Sequence, residues 1–310
     1  MEVGKMEKRS ETKRQVALSN RAFILALLGA VFVSATAILF FQSIIGLPKG
    51  SGRNAAKDSA KSSSVVGKKT DSKTVRIMAN GDLLYHDGLY MSAQKADGSY
   101  DFSENFTYVK DWLHQGDLVL GDFEGTIRSD YPLGGYPLFN APEAVVPAIK
   151  DAGYQVVDLA HNHILDSGLE GVFTTAKAFE DHEISPVGVY THKNRDKSPI
   201  LIKEVKGIKI AILAYSYGFN GLESNLSQKE IDHHLSTFDE EKMKAEIEQA
   251  EKEADITVVM PQTGIEYQLE PNEEQVELYH KMVDWGADII FGGHPHVVQP
   301  SEILEKDGQK

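Results

Sequence analysis

A chain of 310 residues with 41% hydrophobic and 9% aromatic content has enough apolar surface to bury a sizeable core, which excludes an intrinsically disordered protein. A formal charge of −14 argues against nucleic acid as a partner, and the absence of cysteine excludes disulfides, thiolate metal sites and a cysteine nucleophile.

The charge is unevenly spread along the chain. Residues 1–21 carry six basic residues against three acids, 22–47 carry no charge, and 48–73 carry seven basic residues against two acids, which leaves −22 on residues 74–310. The uncharged run of 26 residues would reach roughly 39 Å as a helix, more than the roughly 30 Å of a bilayer's hydrocarbon core. It predicts a transmembrane anchor at 22–47, with the basic tail 1–21 in the cytoplasm and everything after it outside the membrane. Ala35-Thr36-Ala37 resembles a signal-peptidase site, but cleavage there would leave Ile38-Leu39-Phe40-Phe41 at the mature end, so an uncleaved anchor is the better reading. Residues 48–73, rich in Ser, Gly, Lys and Ala, read as a flexible basic linker.

From residue 74 the pattern becomes apolar runs alternating with amphipathic stretches, the signature of an α/β domain. Strands are predicted around 75–79, 117–120, 156–160, 256–260 and 288–291, with a hairpin over 198–215 turning at Lys206-Gly207. Helices are predicted near 106–114, 143–152, 169–180, 239–254 and 273–285, and Gly153 and Gly286 stand where C-terminal caps are needed.

Polar clusters follow the apolar runs. Asn80-Gly81-Asp82 and His86 come after the first, Gly121-Asp122-Phe123-Glu124 after the second, and His161-Asn162-His163 with Asp166 after the third; Gln262 and Glu266, then His294 and His296, follow the last two. In open α/β sheets the ligand crevice lies outside the carboxyl ends of the strands, so these residues can converge. In an extended chain His294 and His296 would point the same way. Carboxylate, imidazole and amide together suit Zn²⁺, Mn²⁺ or Fe²⁺ better than Mg²⁺.

Each residue also has a plainer reading. Asp82 and Asp122 are ordinary turn residues after strands; Asp166 reads as a helix cap or turn residue; Glu266 alone would be a solvated loop acid. His161 alternates in direction with Asn162 and reads as a neighbour of the site. His182, His192, His233 and His234 read as surface residues, and Arg128, Lys193 and Arg195 as surface charge.

Gly81-Asp82, Gly121-Asp122-Phe123-Glu124, Asn162-His163 with Asp166-Ser167-Gly168, Gly264-Ile265-Glu266-Tyr267, and Gly286-Ala287-Asp288 followed by Gly293-His294-Pro295-His296 together resemble the CapA family of capsule and poly-γ-glutamate synthesis proteins. That family is similar in turn to the calcineurin-like metallophosphoesterases, whose Asp, Gly-Asp, Gly-Asn-His and Gly-His-x-His blocks run in the same order. The resemblance implies a calcineurin-like metallophosphoesterase-type α/β/β/α sandwich preceded by one transmembrane helix. It implies one or two divalent ions (Mn, Fe or Zn) held among Asp82, Asp122, Glu124, Asn162, His163, His294 and His296, with catalytic roles for His163, His294 and Glu266. It further implies a bacterial cell-membrane location with the C-terminal domain extracellular. The implied partners are the membrane, an anionic capsule polymer or its precursor, and polymer synthase or export subunits, with no nucleic acid.

Three departures accompany it. Leu84 stands where the phosphoesterases place a histidine, Gln262 stands where CapA relatives commonly place one, and the family continues past the His-Pro-His block, so the domain at 74–310 is expected to be incomplete at its C-terminus. Two functions follow: a membrane-anchored hydrolase acting on a phosphoester or a polymer amide, or a non-catalytic binding or scaffold subunit of a polymer synthesis and export complex.

Overall fold

A computed structural model describes residues 73–191 and 200–305 of the chain. The expected tail, anchor and nearly all of the linker, together with His192, Lys193 and Arg195, lie outside the described residues. Among the described residues no helix is long and apolar enough to cross a membrane.

The elements run β1 (Ile77–Asp82), α1 (Asp87–Ala93), α2 (Lys110–Leu113), β2 (Leu118–Asp122), α3 (Val145–Ala152), β3 (Val156–Asp158), α4 (Gly168–Asp181), β4 (Ser185–Val187), β5 (Leu201–Val205), β6 (Ile208–Ser216), α5 (Gln228–His234), α6 (Glu240–Glu253), β7 (Ile256–Gln262), α7 (Glu273–Trp285) and β8 (Ile289–Ile290). They form two four-stranded sheets. The first is parallel throughout, in the order β1-β2-β3-β4; the second runs β5-β6-β7-β8, with β5 antiparallel to β6 and the rest parallel.

Alternation along the strands sets the layers. Leu118, Leu120 and Val156 of the first sheet and Ile210, Ile212, Ala214, Val258 and Met260 of the second share one buried cluster, the core between the sheets. The intervening residues point the other way: Val119 and Val157 pack with Val145, Ile149, Val172 and Phe179 of α3 and α4. Ala211, Leu213, Tyr215 and Val259 pack with Met243, Ile247, Ala250 and Met282 of α6 and α7. A strand buried on both faces reads as a continuous apolar run, which is why these strands stood out in the sequence. The result is helices, sheet, sheet, helices.

Local chemistry fixes the ends. Gly153 and Gly286 take left-handed conformations (φ 109° and 119°) and close α3 and α7 with backbone bonds to the last turn. Asp239 and Asn272 cap α6 and α7 through their side chains, and Ser227 with Glu230 forms a capping box on α5. The β5–β6 hairpin turns at Lys206 and Gly207, both at positive φ (54° and 74°), the conformation that a two-residue turn between twisted strands requires.

Some expectations are corrected. The helix predicted near 106–114 is a 3₁₀ turn at Ser103–Phe106 followed by the single-turn α2, and α1, α5 and the three-residue β4 went unpredicted because each is too short to show a period. His234 is 3% exposed, its Nδ1 bonded to the Tyr190 carbonyl at 2.8 Å, so it belongs to the core and not to the surface.

Candidate metal centre

The parallel strands of each sheet end on the same side, and the two sheets' ends meet there. β1 ends on Asp82 and β2 on Asp122, which are partners in the strand register. Glu124 follows two residues on, pointing the same way as Asp122, while Phe123 between them enters the core. After β3 comes the turn His161-Asn162-His163. β7 ends on Gln262, and β8 leads into His294 and His296. Among the contacts that bridge the sheets, Asn162 N–H donates to Gln262 Oε1 at 2.6 Å, and His296 Nδ1 meets Asp82 Oδ2 at 2.5 Å.

His294 and His296 converge, their ring centroids 6.0 Å apart, but not by the extended geometry that their spacing suggested. Both lie at positive φ (90° and 55°), a conformation that costs a non-glycine residue about 1–3 kcal/mol and persists only when its surroundings enforce it. The Pro295 carbonyl accepts from Tyr267 N–H at 2.8 Å, which ties this turn to the loop carrying Glu266. Gly293 lets this turn approach the acids closely, since a Cβ would stand 2.6 Å from Asp122 Oδ2 and displace that carboxylate.

Two triads have ligand atoms all within 4.8 Å of one another: Asp82, Glu124 and His296, and Glu266, His294 and His296. They share His296. Glu266, although exposed, is thus brought to the two histidines. Asp122, Asn162 and His163 lie outside both triads. His86 is exposed and packs edge-on to Phe139 at 4.8 Å.

His163 has its own partner. Its Nδ1 lies 2.7 Å from Asp166 Oδ2, which also accepts from Phe139 N–H at 2.6 Å, and its Nε2 lies 3.9 Å from Glu124 Oε1. Asp166 is 4% exposed and makes no cap to α4, so its reading as a cap gives way to that of a buried acid holding a histidine. His161 is fully buried, with Nε2 3.3 Å from the Gly125 backbone nitrogen and Nδ1 3.2 Å from that of His163; a neutral ring accepts from one of the two, consistent with a neighbour that shapes the turn.

The acids crowd one another. Burial, then Asp122, Asp82, Glu266 and Asp166, push the Glu124 carboxyl up to about 9. Burial and then Asp82 hold Asp122 well above the usual carboxylate range. Asp158, paired in register with Asp122, is raised by burial and by that neighbour; the sequence reading passed over it, although Val156-Val157-Asp158 repeats the apolar-run-then-acid pattern of β2. Burial lowers His294, whereas the bond to Asp82 raises His296.

Among the described residues, Asp122 Oδ1, both Glu124 oxygens, Asn162 Oδ1 and His294 Nδ1 are buried without a hydrogen-bond partner. Orphaned acceptors of this kind are rare in folded proteins, and here they sit beside mutually repelling acids. One or two divalent cations would satisfy both deficits, so the residues present fit such a group. Beside the cluster lies a cavity of about 1320 Å³ whose lining includes Asp82, His294 and His296 together with Tyr279, Val283 and Ile303.

The fold and this cluster define an α/β protein of two packed sheets whose strand ends carry a set of residues able to hold a divalent cation. Residues 76–308 match the bacterial capsule synthesis protein family PGA_cap, and the chain belongs to that family. It is 32% identical over 210 residues to the capsule biosynthesis protein CapA of Bacillus anthracis, covering 65% of this chain and 50% of that protein. It is also 32% identical over 202 residues to the PGA biosynthesis protein CapA of Bacillus subtilis (strain 168), covering 64% and 52%. The chain thus spans about half the length of these relatives.

Proposed function

We propose that the chain is a membrane-anchored, extracellular hydrolase of capsule polymer synthesis, dependent on one or two divalent ions and acting on poly-γ-glutamate or a related anionic polymer. The observation that carries this reading is the set of orphaned buried acceptors at the strand ends, which no structural role accounts for. Anchoring rests on the uncharged run at 22–47 and its basic flank. A polymer, rather than a small phosphoester, is favoured by the names of the two Bacillus relatives, a capsule biosynthesis protein and a PGA biosynthesis protein. The kinship with calcineurin-like metallophosphoesterases, which the motif order and the four layers support, keeps a phosphoester as the alternative substrate.

Asp82, Glu124 and His296, and Glu266, His294 and His296, would hold the ions, with Asp122 and Asn162 completing the set. Bound there, a divalent ion supplies Lewis acidity, lowering the pKa of a water and polarising the scissile bond. The chain's own residues do the rest. Asp166 accepts a hydrogen bond from His163 Nδ1–H and so fixes the ring, leaving Nε2 turned toward the centre to hold a proton and release it to the leaving group. Tyr217, whose ring lies 4.7 Å from that of His294, packs against that side of the site. On a domain carrying −22, an anionic polymer is repelled at long range, so its binding depends on charge neutralised within the cleft.

The runner-up is a non-catalytic binding subunit of a synthesis and export complex. Leu84 and Gln262, neither of them a good ligand, favour it by leaving two positions of the expected set without a donor to metal. The full chain, purified in detergent and supplied with Mn²⁺, is assayed on bis(p-nitrophenyl) phosphate and on poly-γ-glutamate. Turnover of either, lost in Glu124→Gln, supports the hydrolase. Polymer binding without turnover supports the subunit and ends the hydrolase reading.

A further inference from the structure

Gln262 ends β7 beside the centre, bridged to Gly293 and 1% exposed. Its Oε1 accepts from the backbone N–H of Asn162 at 2.6 Å and lies 3.5 Å from Ser216 Oγ, whose hydroxyl is directed to the Gly218 carbonyl at 2.8 Å. These contacts fix which end of the amide is oxygen. Reversed, the NH₂ group would face the Asn162 N–H, donor against donor.

Nε2 is therefore committed to the other side, where it is buried and, among the described residues, has no hydrogen-bond partner. A donor in that state has lost its water without replacement. Its surroundings belong to the centre. Gln262 Cγ and Asp122 Oδ2 flank the same point, 3.8 and 2.6 Å from where a Gly293 Cβ would stand, and Asn162, bonded to Gln262 through its backbone, carries an orphaned Oδ1.

The lone pair of an amide NH₂ is delocalised into its carbonyl and is not available to a cation, so Gln262 cannot act as a ligand through this atom. It can only donate. We infer that Gln262 is a substrate-positioning residue whose Nε2 donates to an anionic oxygen, phosphoryl or carboxylate, of a ligand lying over the centre. The inference rests on the reading of the cluster as a metal-dependent site. At the position where the resemblance expects an imidazole ligand, this chain presents a hydrogen-bond donor to its substrate. A hydrogen bond from a buried donor to an anion is among the stronger ones, and its loss also leaves the anion's charge unpaired.

The test is calorimetric, on the full chain in detergent. Inorganic phosphate and glutarate are titrated separately into the Mn²⁺-loaded wild type, Gln262→Glu and Gln262→Met, and Mn²⁺ is titrated into each protein alone. Gln262→Glu keeps the acceptor for Asn162 N–H and removes the donor; Gln262→Met keeps the shape and adds no charge. The expected result is a loss of at least about tenfold in affinity for one anion in both variants, with Mn²⁺ affinity in Gln262→Met within about threefold of wild type; each tenfold corresponds to about 1.4 kcal/mol. The anion whose affinity falls tells a phosphoryl oxygen from a carboxylate. Gln262→His retains an N–H donor and is expected to retain anion binding, which separates a lost contact from a damaged fold. Anion affinities equal to wild type in both Gln262→Glu and Gln262→Met, or a wild type that binds neither anion, would overturn the inference. Failure of the wild type to bind Mn²⁺ would end the metal reading and this inference with it, whereas Mn²⁺ binding with unchanged anion affinities would end the inference alone.

Discussion

Asp82 Oδ2 and His296 Nδ1 stand 2.5 Å apart although 214 residues of chain separate them, so the first and last polar blocks of the sequence close on each other. The acid raises the affinity of His296 for its proton. Binding a cation at Asp82, Glu124 and His296 requires that proton to leave. Glu124, whose carboxyl titrates near 9, must lose its proton as well, so Mn²⁺ affinity is expected to climb steeply below the raised pKa of His296 and by about tenfold per pH unit from there toward pH 9. Titrations between about pH 5.5 and 8.5 check this, and Asp82→Asn should bind more weakly with its inflection at lower pH.

Glu124 gives the metal-free protein a pH-dependent weakness. Its carboxyl titrates near 9 in the folded state against 4.5 as a model value, so across that window the folded state holds the extra proton. Stability is full below about 4.5 and falls as pH rises toward 9. Glu124→Gln removes this loss. At pH 8 without metal the variant should melt above wild type, by roughly 2–4 °C for each kcal/mol recovered, and the difference should close toward pH 4.5. Adding Mn²⁺ should reverse the order, because the variant loses a ligand.

His163 and Asp166 form a pair that can be separated from the metal. His163→Ala should keep Mn²⁺ content and lose about 10²–10⁴-fold in turnover. Asp166→Ala should do more, because it strands both the imidazole and the Phe139 N–H that shares the same carboxylate oxygen. A loss of about 1–3 kcal/mol in stability is expected, measured by urea unfolding beside the activity assay.

Gly293→Ala tests the geometry of the last block. The added Cβ would stand 2.6 Å from Asp122 Oδ2, so the carboxylate must shift. The expected outcome is a 10–100-fold loss of Mn²⁺ affinity, in the range typical of disturbed supporting shells, with circular dichroism unchanged.

Long apolar runs such as 256–260 and 117–120 were legible as strands because burial on both faces leaves few polar residues in them. The glycine caps were equally plain. The short α1, α5 and β4 were not, since three to seven residues show no period and their form comes from tertiary packing. At the site, strand-end position singled out Asp82, Asp122, Glu124, His163, His294 and His296. What it could not supply was pairing. Asp166 looked like a cap until the fold placed it against His163, Asp158 drew no notice until register set it beside Asp122, and Gln262 looked like a failed ligand until Asn162 N–H showed which end of its amide is oxygen and which is left without a partner. The turn at His294 and His296 was misjudged as extended because the spacing of two is the same in a strand and in a left-handed bend.

The most direct measurement is the metal content of the full chain. After exposure to Mn²⁺, Fe²⁺ or Zn²⁺ and gel filtration, elemental analysis should find at least one ion per wild-type chain and a marked loss in both Glu124→Gln and His294→Ala. No ion in the wild type, or equal content in all three proteins, would contradict the account.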